Sequence, residues 1–271
     1  MKERLLELIR AADSPVHGRN LAREYLQARI LAAMQDAGAM IPLAFQGGTA
    51  LRFLYDLPRF SEDLDFALER PERGDYDFQK MSDRALARLR REGYEVSEQI
   101  RTDGVVECLM VRFHDLLHEG DLPPRVTERL RIRVEVDTRP PEGAVLATTV
   151  VRRHVLLNLQ HHDRASLLAG KLHAVLQRTW TRGRDLFDLF WYLSDRRWPG
   201  PNLTLLNNVL TQTGWEGPDL QESTWRGVVE EKVGALDWDT ARADVEPFLE
   251  PGPHTDLFTR EHLLGLLASA G

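Results

Sequence analysis

The spacing of apolar residues changes along this chain, and the change limits the folds that it can adopt. Before about residue 138, stretches in which apolar and polar residues alternate, as in strands, lie between helical segments. From Arg164 onward the apolar spacing predicts helices over 164–180, 184–195, 202–212, 224–234, 239–249 and 257–269. Strands followed by a long run of helices are typical of the α+β class. We therefore expect a mixed β-sheet flanked by helices in residues 1–150 and a helical domain in residues 151–271.

The part of the chain before the helical region has its own predicted elements. Helices are expected over 2–12, 19–38 and 78–92, and a short helix over 50–55 with Thr49 as its N-cap. Strands are expected over 40–45, 63–68, 94–100, 105–113 and 129–138. Residues 139–163 are not assigned to any strand.

The composition is that of a soluble cytoplasmic protein. The single cysteine, Cys108, excludes an internal disulfide and fits a reducing compartment. No apolar run approaches the roughly 18 residues of a membrane span, and the charged N-terminal segment does not resemble a signal peptide. The net charge of −7 provides no general attraction to nucleic acid. A polyanion would therefore need a local basic patch.

Acidic residues on two predicted strands are the strongest candidates for catalysis. Asp63 and Asp65 share one face of the first strand, and Glu135 and Asp137 share one face of the second. If the strands are neighbours, a third carboxylate joins Asp63 and Asp65, and such a group suits hard divalent cations such as Mg²⁺. The spacing does not decide between Glu135 and Asp137. Acids that alternate with apolar residues are otherwise typical of a half-exposed strand.

A glycine pair precedes these acids by one short helix. Gly47, Gly48 and Thr49 open that helix, and a helix N-terminus offers backbone N–H groups to phosphate oxygens. Glycine pairs are also common in ordinary turns. The order of glycine pair, helix and carboxylates therefore predicts a phosphate-binding loop that is followed by a metal site.

These residues resemble a known family. The stretch "FQGGTALRFLYDLPRFSEDLDF", with thirteen residues between Thr49 and Asp63, is similar to the signature of DNA polymerase β-like nucleotidyltransferases. Its order of residues resembles that of the AbiEii/AbiGii toxins of type IV toxin–antitoxin pairs, although Gln46 stands where many members have lysine. A later stretch, "KLHAVLQRTWTRGRDLFDLF", resembles the family's second motif, a lysine on one helix followed by Arg-Asp-x-x-Asp at the start of the next.

The resemblance implies a nucleotidyltransferase fold and a set of roles. The family's activity is transfer of a nucleotide from an NTP, with Mg²⁺ or Mn²⁺ as cofactor. The implied acceptor is RNA, specifically the 3′ end of tRNA, and the implied partner is a cognate antitoxin. Metal ligands would be Asp63 and Asp65. Catalytic roles would fall to Asp63, Asp65, Glu135 or Asp137, Lys171 and Asp185. Nucleotide contacts would come from Gly47, Gly48, Thr49, Arg59, Ser61, Lys171, Arg184 and Asp188.

Two other functions fit the same residues. One is transfer of a nucleotide to a small molecule, as in aminoglycoside nucleotidyltransferases, which would require an enclosed acceptor pocket. The other is a non-catalytic protein that keeps the fold and binds a nucleotide or a partner. The Asp63 and Asp65 pair together with Lys171 favours an enzyme.

Overall fold

The computed structural model describes residues 2–72, 76–120, 130–250 and 252–269. Its strands are β1 (Leu43–Gln46), β2 (Leu64–Leu68), β3 (Val96–Arg101), β4 (Val106–Phe113), β5 (Leu130–Asp137), β6 (Leu146–Arg153) and β7 (Val155–His162). The helices before and between them are α1 (Lys2–Arg10), α2 (Pro15–Asp36), α3 (Gly47–Tyr55), α4 (Phe78–Arg91) and α5 (Leu116–Glu119). The later helices are α6 (Arg164–Gln177), α7 (Gly183–Leu193), α8 (Leu203–Gln212), α9 (Trp225–Gly234), α10 (Trp238–Val245), α11 (Pro253–Leu257) and α12 (Arg260–Ala268).

The strands form one mixed sheet in the order β3-β4-β5-β2-β1-β7-β6. β2 is antiparallel to β1 and parallel to β5, and β1 is parallel to β7. The β3–β4 and β4–β5 pairs are antiparallel. The predicted α+β class, with a mixed sheet flanked by helices, is confirmed.

The chain divides into two compact units. The sheet unit comprises Met1–Tyr55, Phe60–Pro140 and Thr148–His161, and the helical unit comprises Asp56–Arg59, Pro141–Ala147 and His162–Gly271. The sheet unit has a core of aromatic and aliphatic side chains, in which the rings of Phe45 and Phe66 lie 5.2 Å apart. In the helical unit the ring of Phe258 contacts those of Phe187 and Trp238. The predicted division at residue 150 stays a prediction.

Half of the twelve α-helices in the described part of the chain begin after a capping side chain. Ser14, Asp77, Asp163, Asn202, Asp237 and Thr259 each accept a hydrogen bond from a backbone N–H in the first turn of the helix that follows. Among the described residues, no helix is both long enough and apolar enough to cross a membrane.

Two strands, β6 and β7, were not expected from the sequence. β6 lies at an edge of the sheet and has one buried residue, Val151, so its residues show no clear alternation of apolar and polar side chains. β7 ends in His161 and His162, which are polar residues by type but are buried here. His161 lies opposite Phe45 of β1, a distant segment, and the local sequence pattern does not reveal such pairing.

Candidate active site

Asp65 lies beside Glu135 in the sheet unit. β2 and β5 are parallel, and Asp65 is the register partner of Glu135, with Leu64 opposite Val134. Register partners on neighbouring strands point to the same face, so both carboxylates lie on one side of the sheet. The apolar neighbours on the other face are buried, whereas both acids are half-buried. The predicted pairing of these two strands is confirmed.

The segment before β2 is fixed by two buried side chains. The Thr49 hydroxyl donates a hydrogen bond to the backbone carbonyl of Asp63, and the Gln27 amide donates to the carbonyl of Ser61 at 3.1 Å. Thr49 and Gln27 are both buried in the sheet unit. Because buried polar groups are costly to leave unpaired, these two bonds fix the backbone on either side of Glu62.

The loop before α3 is built around Gly47. The prediction that Thr49 caps this helix is wrong, because α3 already begins at Gly47 and Thr49 lies inside its first turn. Gly47 has a φ of +77°, a backbone region that favours glycine. A Cβ atom at this position would lie 2.4 Å from Oδ2 of Asp65. The glycine therefore allows the Asp65 carboxylate to approach the start of α3.

Arg133 is a functional candidate that the sequence reasoning did not select. Its Nη1 atom lies 3.2 Å from Oε1 of Glu135. The negative charge of Asp63, followed by that of Glu135, raises the pKa of the Arg133 guanidinium above its ordinary value. Arg133 thus supplies positive charge beside two of the predicted catalytic acids. The signal in the sequence was its position two residues before Glu135, on the same face of a strand.

Asp137 has a different environment from Glu135. Its Oδ1 atom accepts a hydrogen bond from the backbone N–H of Arg139 at 2.9 Å. This bond stabilises the turn that follows β5, as aspartate side chains commonly do. Asp137 is therefore used in a local turn, whereas Glu135 faces Asp65 across the strand pair.

The donor atoms of this group suit a hard divalent cation. Carboxylate oxygens are the preferred protein ligands of Mg²⁺, and Asp65 and Glu135 present them on adjacent strands. Within the described part of the chain, however, no three acidic, histidine or cysteine side chains are gathered closely enough to hold a metal ion. A cation at this group would thus require a rearrangement of side chains, including the contact between Arg133 and Glu135.

In the helical unit, Lys171 contacts both aspartates of the second motif. Its Nζ atom lies 2.7 Å from Oδ2 of Asp188 and 3.3 Å from Oδ1 of Asp185. Burial would raise the pKa of Asp185, but Lys171, together with nearby arginines that include Arg178, lowers it below its ordinary value. Asp185 also contacts Nε of Arg178 at 3.2 Å. The lysine on α6 and the two acids on α7 therefore form one charged network.

Arg59 belongs to the same network. Its Nε and Nη2 atoms each donate a hydrogen bond of 2.6 Å to a different carboxylate oxygen of Asp188, and both side chains are buried. Burial would lower the pKa of Arg59, but the charge of Asp188 raises it. A two-pronged pair of this kind fixes the relative orientation of its two side chains. Arg59 and Asp188 therefore hold residues 56–59 against α7.

Arg184 faces a separate carboxylate in the helical unit. Its backbone N–H donates to Oδ2 of Asp244 at 3.3 Å, and its guanidinium lies 4.4 Å from the ring centroid of Phe248. A cleft of about 350 Å³ also lies in this unit, between α7, α9 and α12. None of the predicted site residues lines that cleft.

Comparisons with known proteins match the chain to a family. A family model described as "Nucleotidyl transferase AbiEii toxin, Type IV TA system" matches residues 29–260. No curated protein sequence matches the chain significantly.

Several solved structures share the fold at low sequence identity. MenT4, a nucleotidyltransferase toxin from Mycobacterium tuberculosis, is 19% identical with a TM-score of 0.50, over 98% of this chain and 99% of that chain. JHP933 from Helicobacter pylori is 19% identical with a TM-score of 0.51, over 90% of this chain and 89% of that chain. A further H. pylori protein is 20% identical with a TM-score of 0.53, over 90% and 91% of the two chains.

The two sequence motifs thus lie in a fold that is shared with solved structures, MenT4 among them, and the family match extends over most of the chain. The resemblance predicted from the motifs is confirmed. The chain belongs to the AbiEii family of nucleotidyl transferase toxins of type IV toxin–antitoxin systems.

Proposed function

We propose that this protein is a metal-dependent nucleotidyltransferase that transfers a nucleotide from an NTP to the 3′ end of a tRNA. The observation that carries the proposal is the register of β2 and β5, which makes Asp65 and Glu135 neighbours, with Gly47 against the Asp65 carboxylate. Membership of a toxin family supports a toxic activity and a cognate antitoxin as partner. The proposed location is the cytoplasm, where NTPs and tRNA are available.

The glycine pair binds the triphosphate in this proposal. The first N–H groups of a helix have no partners within the helix, so those at the start of α3 can donate to phosphate oxygens. Because the Thr49 hydroxyl already donates to Asp63, the backbone N–H of Thr49 is the better phosphate donor. Ser61, whose carbonyl is held by Gln27, keeps its hydroxyl as a further nucleotide contact.

Asp63 and Asp65 would hold the divalent cation, Mg²⁺ or Mn²⁺. When bound, the cation would polarise the phosphate and stabilise the departing pyrophosphate. The 3′-hydroxyl oxygen of the acceptor forms a bond to the α-phosphorus, and the bond between that phosphorus and pyrophosphate breaks. The hydroxyl proton passes to a carboxylate of this chain, and we assign that role to Glu135, because Asp137 is engaged with the backbone of Arg139.

The helical unit contributes a separate set of roles. An ammonium group has three N–H donors, so contact of Lys171 with two carboxylates leaves one donor for a phosphate oxygen. Asp185 orients Lys171, and the pair of Asp188 with Arg59 holds the network in place. Arg184 is proposed as a further phosphate contact.

The proposal is tested by incubating the protein with each labelled NTP in turn, with Mg²⁺ and with total RNA. We expect label in RNA of tRNA length, at its 3′ end. Label that appears only in small molecules would favour the alternative of small-molecule transfer. Label in neither fraction, with any of the NTPs, would contradict the proposed activity.

The choice between Glu135 and Asp137 is tested by paired substitutions. Glu135→Gln removes the proposed proton acceptor, and the loss of a general base typically costs about 100-fold or more in rate. Asp137→Asn keeps an oxygen that can accept from Arg139, and we expect its rate to remain close to that of the unsubstituted protein. The opposite pattern would assign the third carboxylate to Asp137.

A further inference from the structure

An exposed tryptophan and two arginines form a distinct surface of the helical unit. Arg178, Trp180 and Arg182 lie on the connection between α6 and α7, and we call them the indole surface. Trp180 is 63% exposed, which is unusual for a side chain with so much apolar area. The guanidinium of Arg178 lies 5.7 Å from the centroid of the indole ring. The surface therefore combines a flat aromatic face with adjacent positive charge.

The positive charge of this surface is only partly compensated within the protein. Burial, and then repulsion from Arg182 and Arg184, lower the pKa of the Arg178 guanidinium, although Asp185 acts in the opposite direction. Asp185 is shared between Arg178 and Lys171. The side chain of Arg182 makes no hydrogen bond or salt bridge with any residue that the structure describes. An anionic ligand would relieve this repulsion, so the surface favours a partner with negative charge.

A second basic region, on α4, has no exposed aromatic ring, because Phe78, the aromatic residue of that helix, is buried. Its Arg88 is paired with Asp36 and Glu92, and Arg90 is paired with Glu98. Carboxylates of the same chain thus already neutralise these guanidinium groups. Exposed arginines alone therefore do not distinguish a site for a polyanion. The indole surface has an exposed aromatic ring and, beside it, an arginine that pairs with no carboxylate in the described part of the chain.

We propose that the indole surface binds a single-stranded segment of RNA, with one base stacked on Trp180 and with Arg178 and Arg182 on the flanking phosphates. This inference rests on the proposed function, in which RNA is the acceptor. Every base has a face that can stack on an aromatic ring, and guanidinium groups bind phosphate through paired N–H donors. A base in a duplex is already stacked on its neighbours, which is why the ligand is an unpaired strand. An acidic peptide would satisfy the arginines and leave the indole unused.

The test measures binding of a fluorescently labelled single-stranded RNA, with a free 3′-hydroxyl, to the full chain. We expect Trp180→Ala to weaken binding about tenfold or more, and Trp180→Phe, which keeps an aromatic face, to weaken it much less. Arg182→Gln should weaken binding and lower the slope of log affinity against log salt concentration by about one. Arg84→Gln, which removes an exposed arginine from α4, is the matched control and should change nothing.

Three further outcomes would each contradict one of the two proposals. Normal binding by both Trp180→Ala and Arg182→Gln would overturn the inference, even if the unsubstituted protein labels RNA. The inference would also be overturned if poly-glutamate competed as effectively as unlabelled RNA, because the surface would then bind any acidic chain. RNA that binds through Trp180 but accepts no label from any NTP would contradict the proposed function and leave the indole surface supported.

Discussion

Charge balance around the acids of the sheet unit depends on individual neighbouring residues. Arg133 is close enough to Asp63 and Glu135 that both acids raise its pKa, and it supplies positive charge where two or three carboxylates would otherwise repel one another. In the helical unit Lys171, Arg59 and Arg178 do the same for Asp185 and Asp188. Each acid of the two motifs therefore either has a cationic side chain nearby in its own unit or lies beside an acid that has one.

Substitution of Gly47 should reduce catalysis far more than it reduces stability. Gly47→Ala introduces a left-handed backbone strain of about 1–2 kcal/mol and pushes its Cβ against the Asp65 carboxylate. We expect a modest loss of unfolding free energy and a severe loss of nucleotide transfer. Gly38 has a similar φ of +87° with no atom within 4 Å of an added Cβ, so Gly38→Ala is the matched control. Equal activity in the two variants would show that the Asp65 contact is unimportant.

Protonation of Glu24 should lower the stability of the protein in acid. It is buried against Arg52, Arg153 and His154, and although burial opposes ionisation, His154 and the two arginines lower the pKa of Glu24 from 4.5 to about 2. A pKa lowered by folding stabilises the protein above pH 4.5, and that contribution, of about 3 kcal/mol, is lost as pH falls from 4.5 toward 2.

The measurement for Glu24 is the free energy of unfolding in urea as a function of pH. Glu24→Gln should lower stability at neutral pH, because Arg52 and Arg153 lose their carboxylate, and should flatten the fall below pH 4.5. Glu231→Gln, at an exposed position on α9, is the control and should keep the fall unchanged. An unaltered acid profile for Glu24→Gln would contradict this account.

At the scale of elements, the packing of α7 depends on a glycine. A Cβ atom at Gly183, the first residue of α7, would lie 1.6 Å from the backbone carbonyl oxygen of Ala241 on α10. The close approach of these helices therefore requires a residue without a side chain. This approach holds the start of α7, and with it Asp185, in position.

Gly183→Ala should lower the free energy of unfolding by about 1–3 kcal/mol or more, because the added methyl group meets backbone that cannot move aside locally. Gly170→Ala on α6 is the matched comparison, since no atom lies within 4 Å of its added Cβ. Alanine favours a helix over glycine by about 1 kcal/mol, so Gly170→Ala should stabilise the protein. Urea unfolding of both variants checks the prediction, and a neutral Gly183→Ala would refute the close approach.

The sequence predicted some elements well and missed others for physical reasons. The alternation of acids and apolar residues in 63–68 and 129–138 identified β2 and β5, because one face of each strand is buried, whereas their pairing was inferred from the needs of a shared metal site. Alternation did not reveal β6, an edge strand with little buried surface, or β7, whose His161 pairs with the distant strand β1. Propensity also misplaced the start of α3, because Thr49 looked like a cap and is instead bonded to Asp63.

For the candidate site, the sequence pointed to two motifs but could not show the contacts that depend on packing. Residue types and spacing led to both motifs, and the family match extends over both of them. Sequence could not choose between Glu135 and Asp137, since both share a strand face, and our proposal of Glu135 rests on its register with Asp65 and on the turn bond of Asp137. Nor could it reveal that Lys171 contacts Asp188, because an ion pair between two helices depends on how they pack.

At the scale of the whole molecule, the chain is acidic, with a net charge of −7, yet the proposed substrates are polyanions. In the proposed function, substrate binding therefore relies on local groups: the start of α3, the Lys171 network and the indole surface. Such binding should weaken as salt concentration rises, because the contacts are few and charged.

The central claim is that the acid pair at the start of β2 drives nucleotide transfer to RNA, and one comparison tests it most directly. Label transferred to RNA from NTP with Mg²⁺ is measured for the unsubstituted protein and for Asp65→Asn, with circular dichroism to show that both are folded. The account predicts transfer that requires Mg²⁺ and falls at least about 100-fold in Asp65→Asn. Transfer that persists at the original rate in Asp65→Asn, or in the presence of a chelator, would contradict it.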